Sequence, residues 1–358
     1  MLLHDRKIFK ACLQVIKQNR VCASEYRGDG GAPDVFHGVE ARRVTVRAPA
    51  SIANLGPGFD ILAMAIGGLY DTVSVTVRPG PGAIHVTSVG FNVPSGELNV
   101  AYAVTREFIS KYGIRGVDVY VDVVKGVPPA CGLGSSGATA AAVAYALSRV
   151  FNLSIREEDL LHLAGIGELH VAGSLHYDNV AASLFGGVVI VDPESREVLK
   201  YTPRVQIPVA VVAPLIPGLR CVRKTEYARS LLPEHVELST HVRQTSALAR
   251  LIYALLTDNI ELLGKSISVD YIAEPHRSKL IPYYCELKEL ALRNGALGFN
   301  ISGAGPSVFF MHRNTEEART TGELLVEFLK SKGVDASLYV STVSPDGAKP
   351  LGESHDKS

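Results

Sequence analysis

Residues 128–142, PPACGLGSSGATAAA, decide which class of fold this chain can adopt. Their glycines have the spacing G-x-G-x-x-G of dinucleotide-binding proteins, at Gly132, Gly134 and Gly137. That fingerprint requires a strand that leads directly into the turn, and a second strand with an acidic residue about 20 positions further on. Here a Pro-Pro pair interrupts the strand, and the acidic residues at that distance, Glu157 and Glu158, lie in the first turn of a predicted helix. The pattern therefore disfavours a dinucleotide-binding fold.

The same stretch still has the physical features of an anion site. It is not a Walker A loop, because no lysine precedes its Ser or Thr residues. Gly132 and Gly134 lack a Cβ that would keep a ligand away from the backbone. Hydroxyls follow where the helix begins, on Ser135, Ser136 and Thr139. The unpaired N–H groups of a first helical turn attract anions, although a Gly-rich turn before a capped core helix explains the stretch equally well when it is taken alone.

The composition of the whole chain narrows the function further. The chain has 358 residues, 47% of them apolar, which predicts about two globular domains. Lys plus Arg equals Asp plus Glu at 36 each, so no overall field attracts nucleic acid or an anionic membrane. The five cysteines show neither a disulfide framework nor metal-ligand spacing, and no apolar run is long enough to span a bilayer. We therefore expect a cytoplasmic protein in a reducing setting.

The first 40 residues differ from the rest. Residues 4–20 have the spacing of a basic amphipathic helix, and residues 26–38 form a Gly- and Pro-rich linker. We interpret residues 1–40 as a flexible N-terminal extension. A targeting segment and a start codon assigned too early both remain open as explanations.

Strand and helix patterns alternate after residue 41. Strand-like alternation occupies RRVTVRAP at residues 42–49 and residues 71–79 and 116–124, and helices are predicted at residues 136–151 and from Ser154 past Glu168. A second block opens with the apolar run 207–216, followed by helices at 225–232, 240–257 and 276–294, a hairpin at 298–311, a helix at 315–332 and a strand at 336–343. This organisation predicts an α+β protein with one domain at residues 41–205, a second at 206–345, and a tail at 346–358.

Two further loops are rich in small residues. Residues 48–66, APASIANLGPGFDILAMAI, place Asn54 and Asp60 on a Pro-Gly turn between apolar runs, where a carboxamide and a carboxylate suit an ammonium or hydroxyl group. Residues 302–307, SGAGPS, join two apolar strands. Because turn formation alone needs far less glycine, the three loops are predicted to converge on one polyanionic ligand.

These three segments, in this order, resemble the three motifs of the GHMP small-molecule kinases. PASIANLGPGFD has the form peculiar to homoserine kinases, and further matches lie at residues 167–187, 224–233 and 273–282. The likeness covers more than four fifths of the chain. It implies a ribosomal-protein-S5-like, ATP-binding N-terminal domain and a ferredoxin-like C-terminal domain. It also implies ATP- and Mg²⁺-dependent phosphorylation of the side-chain hydroxyl of L-homoserine, a step of threonine biosynthesis.

The resemblance also implies roles for individual residues. The residues that it implies to bind ATP are Asn99, Lys125, Pro129, Ala130, Cys131, Gly132, Leu133, Gly134, Ser135, Ser136, Gly137, Thr139, Gly303 and Gly305. Ser136 and Glu168 are implied to hold Mg²⁺. The residues that it implies to bind L-homoserine are Asn54, Asp60, Asn179, Arg229 and Arg277. Asp178 and Asn179 are the implied catalytic residues, and transfer without any base stays open because phosphoryl transfer depends mainly on positioning and charge.

Three other functions compete with this interpretation. A related kinase of mevalonate or a sugar is disfavoured by the first motif, and a non-catalytic ligand sensor is disfavoured by intact Ser136 and Glu168. An RNA-binding module would need a basic stripe with exposed aromatic residues, which the neutral charge balance does not favour. Oligomeric state stays open, although dimers are common among such kinases, and so does inhibition by threonine.

Overall fold

A computed structural model describes residues 41–172, 175–216 and 224–351. The predicted N-terminal extension lies outside these ranges, as does most of the predicted tail. Within them, no helix combines the length and the apolar character that a membrane crossing requires.

The first sheet has seven strands in the order β11-β1-β2-β4-β3, with β5 pairing to β2 and β6 to β5. Its strands are β1 Arg42–Ala53, β2 Leu62–Pro79, β3 Ile84–Val89, β4 Val117–Val124, β5 Val188–Val191, β6 Val198–Tyr201 and β11 Lys349–Pro350. Only β3 and β4 pair in parallel, among the strands described. The alternation that predicts β2 and β4 is confirmed by burial: the residues of one face, Val73, Val75, Val119 and Val121, are all buried in the core.

Four helices accompany this sheet. They are α1 Val100–Tyr112, α2 Ser135–Val150, α3 Glu157–Ala172 and α4 Asp178–Phe185. Helix α2 is buried along most of its length, and its run of alanines lets the helix backbone approach its neighbours closely. Its N-terminus is thereby held in the interior of the molecule, next to the loop that precedes it.

The second sheet has four antiparallel strands in the order β10-β7-β9-β8. They are β7 Pro208–Pro214, β8 Gly298–Ile301, β9 Val308–Met311 and β10 Ala336–Thr342. The helices are α5 Lys224–Ser230, α6 Leu238–Leu256, α7 Ile260–Ile267, α8 Glu274–Arg277, α9 Tyr284–Arg293 and α10 Thr315–Ser331. One apolar cluster joins the two sheets, since Leu62 and Val188 pack in it together with Val209 and Phe309. The predicted α+β class is confirmed.

The single helix predicted at residues 276–294 is wrong. The chain instead forms α8 and α9, with a short 3-10 turn at Ser278–Leu280 between them. Pro282 lies in the gap, and proline cannot donate the backbone hydrogen bond that a continuous helix needs. Tyr283 adopts a left-handed conformation with φ 56°, which also ends helical geometry.

The end of the described chain is more ordered than the predicted tail. Lys349–Pro350 form β11, which pairs antiparallel with Val46 and Arg47 of β1. The Leu351 N–H continues this contact by donating to the Thr45 carbonyl at 2.8 Å. The chain therefore returns to the first sheet after the second sheet is complete, a long-range pairing that no local pattern indicates.

Candidate active site

The three small-residue loops meet at one cavity of about 510 Å³. Asn54 and Asp60 come from the first loop, Gly132 and Gly134 from the second, and Gly303 from the third. Helices α3, α4, α5 and α8 contribute Glu168, Asp178, Asn179, Arg229 and Arg277 to its wall. The predicted convergence of the loops is therefore present in the fold.

The second loop leads directly into the N-terminus of α2. Gly134 is the N-cap residue and has φ 63°, and Gly132 has φ 77°, both in the left-handed region. A Cβ on Gly134 would lie 2.0 Å from Ser51 Oγ, and a Cβ on Gly132 would lie 2.3 Å from the Ser302 carbonyl oxygen. Glycine is thus required at both positions by conformation and by space. The first N–H groups of α2, which have no intrahelical acceptor, then form an anion site at the cavity.

Hydrogen bonds connect the three loops to one another. The Ser51 N–H donates to the Leu133 carbonyl at 3.1 Å, and the Ser302 hydroxyl donates to the Gly132 carbonyl at 2.7 Å. The first and third loops meet where Asn54 Nδ2 donates to the Gly303 carbonyl at 3.0 Å. These bonds are buried or partly buried, so the relative positions of the loops are set without any ligand.

Lys125 braces the second loop from behind. Its Nζ pairs with the buried carboxylate of Asp71 and donates to the Ser135 carbonyl at 2.8 Å and to Thr139 Oγ1 at 2.9 Å. Asp71 also accepts from the backbone N–H groups of Gly126 and Val127, each at 3.0 Å. These contacts occupy the three donors of the ammonium group. Lys125 and Thr139, expected at ATP, reach the cavity wall but direct their polar groups into this brace.

Lys125→Met is expected to destabilise the protein by about 3 kcal/mol, because it leaves the carboxylate of Asp71 buried without its cationic partner. Urea unfolding of the variant and the wild type measures the change. Lys111→Met is the matched control, since Lys111 forms an ion pair with Asp159 on the surface and should cost less than about 1 kcal/mol. Equal effects of the two substitutions would contradict the bracing role of Lys125.

Glu168 on α3 faces the start of α2. Its Oε1 is buried and has no hydrogen-bond partner within the described part of the chain. Burial raises the pKa of the Glu168 carboxyl, and the Ser136 hydroxyl beside it and Lys125 both oppose the shift. A buried, incompletely paired carboxylate next to a hydroxyl is a donor set that fits a hard cation. Among the described residues no group of three or more His, Cys, Asp or Glu side chains could hold a metal, so a cation here would need ligands from a phosphate or from water.

The far end of the cavity is charged. Asp60 Oδ2 accepts from Arg229 Nη1 at 2.6 Å, and His176 Nδ1 lies 3.7 Å from Asp60 Oδ1. Arg277 is only 4% exposed, and its Nη1 donates to the Gly303 carbonyl at 3.1 Å. Both guanidinium groups lie over the ring of Phe59, with Arg277 at 4.9 Å and Arg229 at 5.7 Å from the ring centroid. The ring offers each arginine a cation–π contact and holds both beside one carboxylate.

Asp178 and Asn179 open α4 between the two ends of the cavity. The carboxyl group of Asp178 is buried, and this burial, with the nearby charge of Asp60, raises its pKa to about 7. Its Oδ1 accepts from the Asn179 N–H at 2.7 Å. Asn179 Oδ1 accepts from the Ser51 hydroxyl at 2.9 Å. Asp178 is therefore a carboxyl group that exchanges a proton near neutral pH, which suits a general base.

Most of the residues implied by the resemblance line the cavity, but some do not. Cys131, Leu133, Gly137 and Gly305 are absent from its wall. Cys131 and Leu133 instead pack into the apolar cluster between the sheets. Asn99 reaches the wall as the N-cap of α1, with Oδ1 accepting from the Ala101 N–H at 2.9 Å and Nδ2 donating to the Pro94 carbonyl at 2.7 Å. Its side chain therefore supports the start of this helix through both ends of the amide.

Three residues that sequence reasoning missed contribute to the site. Ser51 links the first loop to Asn179, and Phe59 contacts the two arginines. Both lie in the quoted first loop, where a hydroxyl before Asn54 and an aromatic before Asp60 were the available signals. Asp71 was missed as well, although strand alternation places it on the same face as Val73 and Val75, so a charged residue on a core-facing position was the available signal.

Family models match both halves of the chain. The model described as GHMP kinases N terminal domain matches residues 99–187, and the one described as GHMP kinases C terminal matches residues 251–330. The chain is 35% identical to the homoserine kinase of Thermoplasma volcanium over 309 residues, which are 86% of this chain and 96% of that protein. It is 38% identical to the homoserine kinase of Aeropyrum pernix over 289 residues, covering 80% and 91% of the two chains.

Solved structures share the architecture. The crystal structure of homoserine kinase from Cytophaga hutchinsonii superposes with a TM-score of 0.79 at 32% identity, covering 88% of this chain and 99% of that one. The mevalonate kinase of L. major in complex with R-mevalonate superposes with a TM-score of 0.60 at 15% identity, over 86% and 97% of the two chains, and shows a common fold only.

Proposed function

Because the chain belongs to the homoserine kinases of the GHMP kinase family, we propose that it transfers the γ-phosphoryl group of ATP to the side-chain hydroxyl of L-homoserine. The product is O-phospho-L-homoserine, a precursor of threonine. The observation that carries the proposal is the cavity itself, in which the N-terminus of α2 and a group of paired charges face the same space. The first suits the donor, and the second suits a zwitterionic acceptor.

The donor end would bind ATP through backbone groups. Gly132, Gly134 and the first N–H groups of α2 suit the phosphates, which need donors and positive potential at close range. Because the loop is held by Ser51, Ser302 and Lys125, these donors need little rearrangement when the phosphates arrive. Such preorganisation is the main source of rate in phosphoryl transfer.

We propose that Ser136 and Glu168 hold Mg²⁺ against the phosphates. Mg²⁺ prefers one or two protein oxygens together with phosphate and water, and these two residues offer a hydroxyl and a carboxylate. When bound, the ion would neutralise charge that develops on the phosphate oxygens. The buried Oε1 of Glu168, which lacks a partner among the described residues, supports this role.

The acceptor end suits both charges of an amino acid. Asp60 would accept hydrogen bonds from the ammonium group, while Arg277 and Arg229 would donate to the carboxylate. In the structure Asp60 pairs with Arg229, so binding of a zwitterion would exchange one ion pair for two. Asn54 fixes this end through the Asp60 N–H, which donates to Asn54 Oδ1 at 3.2 Å. Mevalonate carries a carboxylate but no ammonium group, so it would leave Asp60 without a cation.

The hydroxyl of the acceptor would lie between the phosphates and α4. Asp178 would accept the hydroxyl proton as the oxygen attacks, and Asn179 would orient that oxygen through its amide; both residues line the cavity. Because the transition state of phosphoryl transfer is loose, the proton is lost late and the contribution of a base is moderate. Charge neutralisation and alignment supply the larger share.

Asp178→Asn is expected to lower kcat on the order of 10²-fold and at the same time to stabilise the protein at pH 8. Burial raises the pKa of Asp178 to about 7, whereas in an unfolded chain the group ionises near its usual pKa of 3.8. The unfolded state therefore binds fewer protons between these values, and the wild type loses stability as the pH rises from about 4 to about 7. The free energy of unfolding of Asp178→Asn should not show this decrease. Thermal unfolding at pH 4 and pH 8 measures it.

The pH dependence of activity tests the same residue. The kcat/KM of the wild type should rise with pH until about pH 7 and then level off, and the rise should vanish in Asp178→Asn. Asp192→Asn is the matched control, because Asp192 is an exposed acidic residue away from the cavity. A variant at Asp178 that keeps kcat within threefold would indicate transfer without a base.

ADP release by purified protein with ATP and Mg²⁺ tests the proposed function. L-homoserine is compared with mevalonate, galactose and L-threonine as acceptors. We expect release that depends on homoserine, and phosphorus NMR should identify a phosphate monoester of its side chain. Turnover with mevalonate or galactose alone would overturn the substrate. Binding of ATP without turnover of any acceptor would favour the ligand sensor.

A further inference from the structure

Gln244 is a buried amide outside the cavity, on helix α6. It is 7% exposed, and its side chain makes three hydrogen bonds. Nε2 donates to the Pro57 carbonyl and to Asp270 Oδ1, each at 3.1 Å, and Oε1 accepts from the Tyr271 N–H at 2.8 Å. Both N–H donors and one acceptor site of the amide are thus occupied. An apolar side chain would fill the space but would make none of these bonds.

One partner of Gln244 belongs to the acidic side of the acceptor site. Pro57 lies in the first loop, three residues before Asp60 and two before Phe59. This loop is tightly turned, since the Gly58 N–H donates to the Asn54 carbonyl at 2.9 Å. A displacement of Pro57 would therefore carry Asp60 and Phe59 with it.

The other partner belongs to the basic side. Asp270 caps the turn before α8: its Oδ1 accepts from the N–H groups of Ile272 at 2.9 Å and Ala273 at 3.0 Å, and its Oδ2 accepts from Glu274 at 3.0 Å. Helix α8 follows at once and ends with Arg277. Since the Arg277 N–H bonds back to the Ala273 carbonyl at 2.9 Å, the position of the guanidinium follows the position of this turn.

We propose that Gln244 is a positioning residue for the acceptor: it sets the separation between the loop of Asp60 and the turn of Arg277, so that one zwitterion meets both charges at once. The inference rests on the proposed function, because it takes the acceptor to be an amino acid. Gln244 contacts neither ligand. It acts through Pro57 on one side and Asp270 on the other, and no other described side chain is hydrogen-bonded to both.

Gln244→Leu tests the inference because it should change the KM for homoserine and leave the KM for ATP nearly unchanged. We expect the KM for homoserine to rise about tenfold, because a shift on the order of 1 Å between two binding groups weakens a ligand that must meet both. The KM for ATP should stay within twofold, since no bond of Gln244 reaches the phosphate loop. Leu255→Ala is the matched control: Leu255 is buried on the same helix, eleven residues and about 16 Å further along. It should lower Tm without raising the KM for homoserine.

A second variant keeps the test decisive if Gln244→Leu does not fold. Asp270→Asn keeps one side-chain oxygen and replaces the other with an NH2 group. It therefore weakens the hydrogen bond between Gln244 and Asp270 by changing Asp270 instead of Gln244. It should also raise the KM for homoserine alone. Where both single variants fold, the KM of the double variant should be no more than twofold above that of the poorer single one, because both changes break one linkage.

The outcomes separate the inference from the proposed function. If the wild type shows no turnover that depends on homoserine, the proposed function is wrong. An active wild type whose folded variant at Gln244 or Asp270 keeps its KM for homoserine overturns the inference. Equal increases of the KM values for homoserine and ATP, or an increase in Leu255→Ala of the same size, also overturn it, because they indicate a general loss of structure.

Discussion

Glu168→Gln is expected to lower kcat about 10³-fold while leaving the fold at least as stable as that of the wild type. The substitution preserves shape and removes the charge that would hold Mg²⁺. Burial raises the pKa of the Glu168 carboxyl, so the ionised group costs folding free energy that a neutral amide does not. The Mg²⁺ concentration required for half-maximal activity should also rise. Activity measured across a series of Mg²⁺ concentrations, together with Tm, gives both results.

Glu158→Gln is the control for this experiment. Glu158 lies on the same helix, ten residues earlier, and its side chain is exposed. It should alter neither kcat nor the Mg²⁺ requirement. If Glu168→Gln kept kcat within threefold and an unchanged Mg²⁺ dependence, the metal-binding role of Glu168 would be refuted. A lower Tm in that variant would instead indicate that the carboxylate stabilises the fold.

Arg277→Ala is expected to lower kcat/KM for homoserine about 10³-fold, mainly through KM. Two charge-assisted hydrogen bonds to a carboxylate account for a change of this size, at about 2 kcal/mol each. In the structure Nε and Nη1 each donate to a backbone carbonyl, of Ala228 and Gly303, and the planar group lies against Phe59. Nη2 makes no hydrogen bond within the described residues and suits the ligand. Arg277→Lys should restore little of the lost kcat/KM, because an ammonium group lacks the planar pair of donors with which a guanidinium binds a carboxylate.

The control for Arg277 is another arginine that packs on an aromatic ring. Arg243 lies 4.7 Å from the ring centroid of Tyr271, outside the cavity. Arg243→Ala should leave kcat/KM within twofold. If Arg277→Ala raised the KM for ATP as much as that for homoserine, its role would be to hold the Gly303 loop rather than to bind the acceptor carboxylate.

Local chemistry explains why so much of the fold was predictable. The alternation in β2 and β4 and the alanine run in α2 are properties of short segments, and the structure has β4 and α2 within one residue of the predicted bounds. β2 ends at the predicted residue but begins at Leu62, well before the predicted start at residue 71. The left-handed φ angles of Gly132 and Gly134 likewise follow from residue type at the position. The helix broken at Pro282 also differs from the prediction, although its signal was present in the sequence, because proline cannot continue a helical hydrogen-bond pattern.

Tertiary structure decided which groups meet. Asp71 and Lys125 are 54 residues apart, Gln244 is 187 residues from Pro57, and Ser51 is 128 residues from Asn179. Asp71 and Lys125 adjoin because Thr72 pairs with Val124 across β2 and β4, whereas Gln244 and Pro57 come from separate elements that meet only in the packed fold. A short segment therefore shows which face of a strand or helix is buried, but it does not show which group will lie opposite a buried polar side chain.

The amino-acid sequence by itself therefore determined the loops and the class of fold, because these depend on backbone freedom and on side-chain chemistry within a few residues. The tertiary structure alone decided that Lys125 braces the loop before α2, that Phe59 contacts two arginines, and that Gln244 is hydrogen-bonded to both Pro57 and Asp270. Burial gives such contacts their energy, and burial is a property of the whole fold.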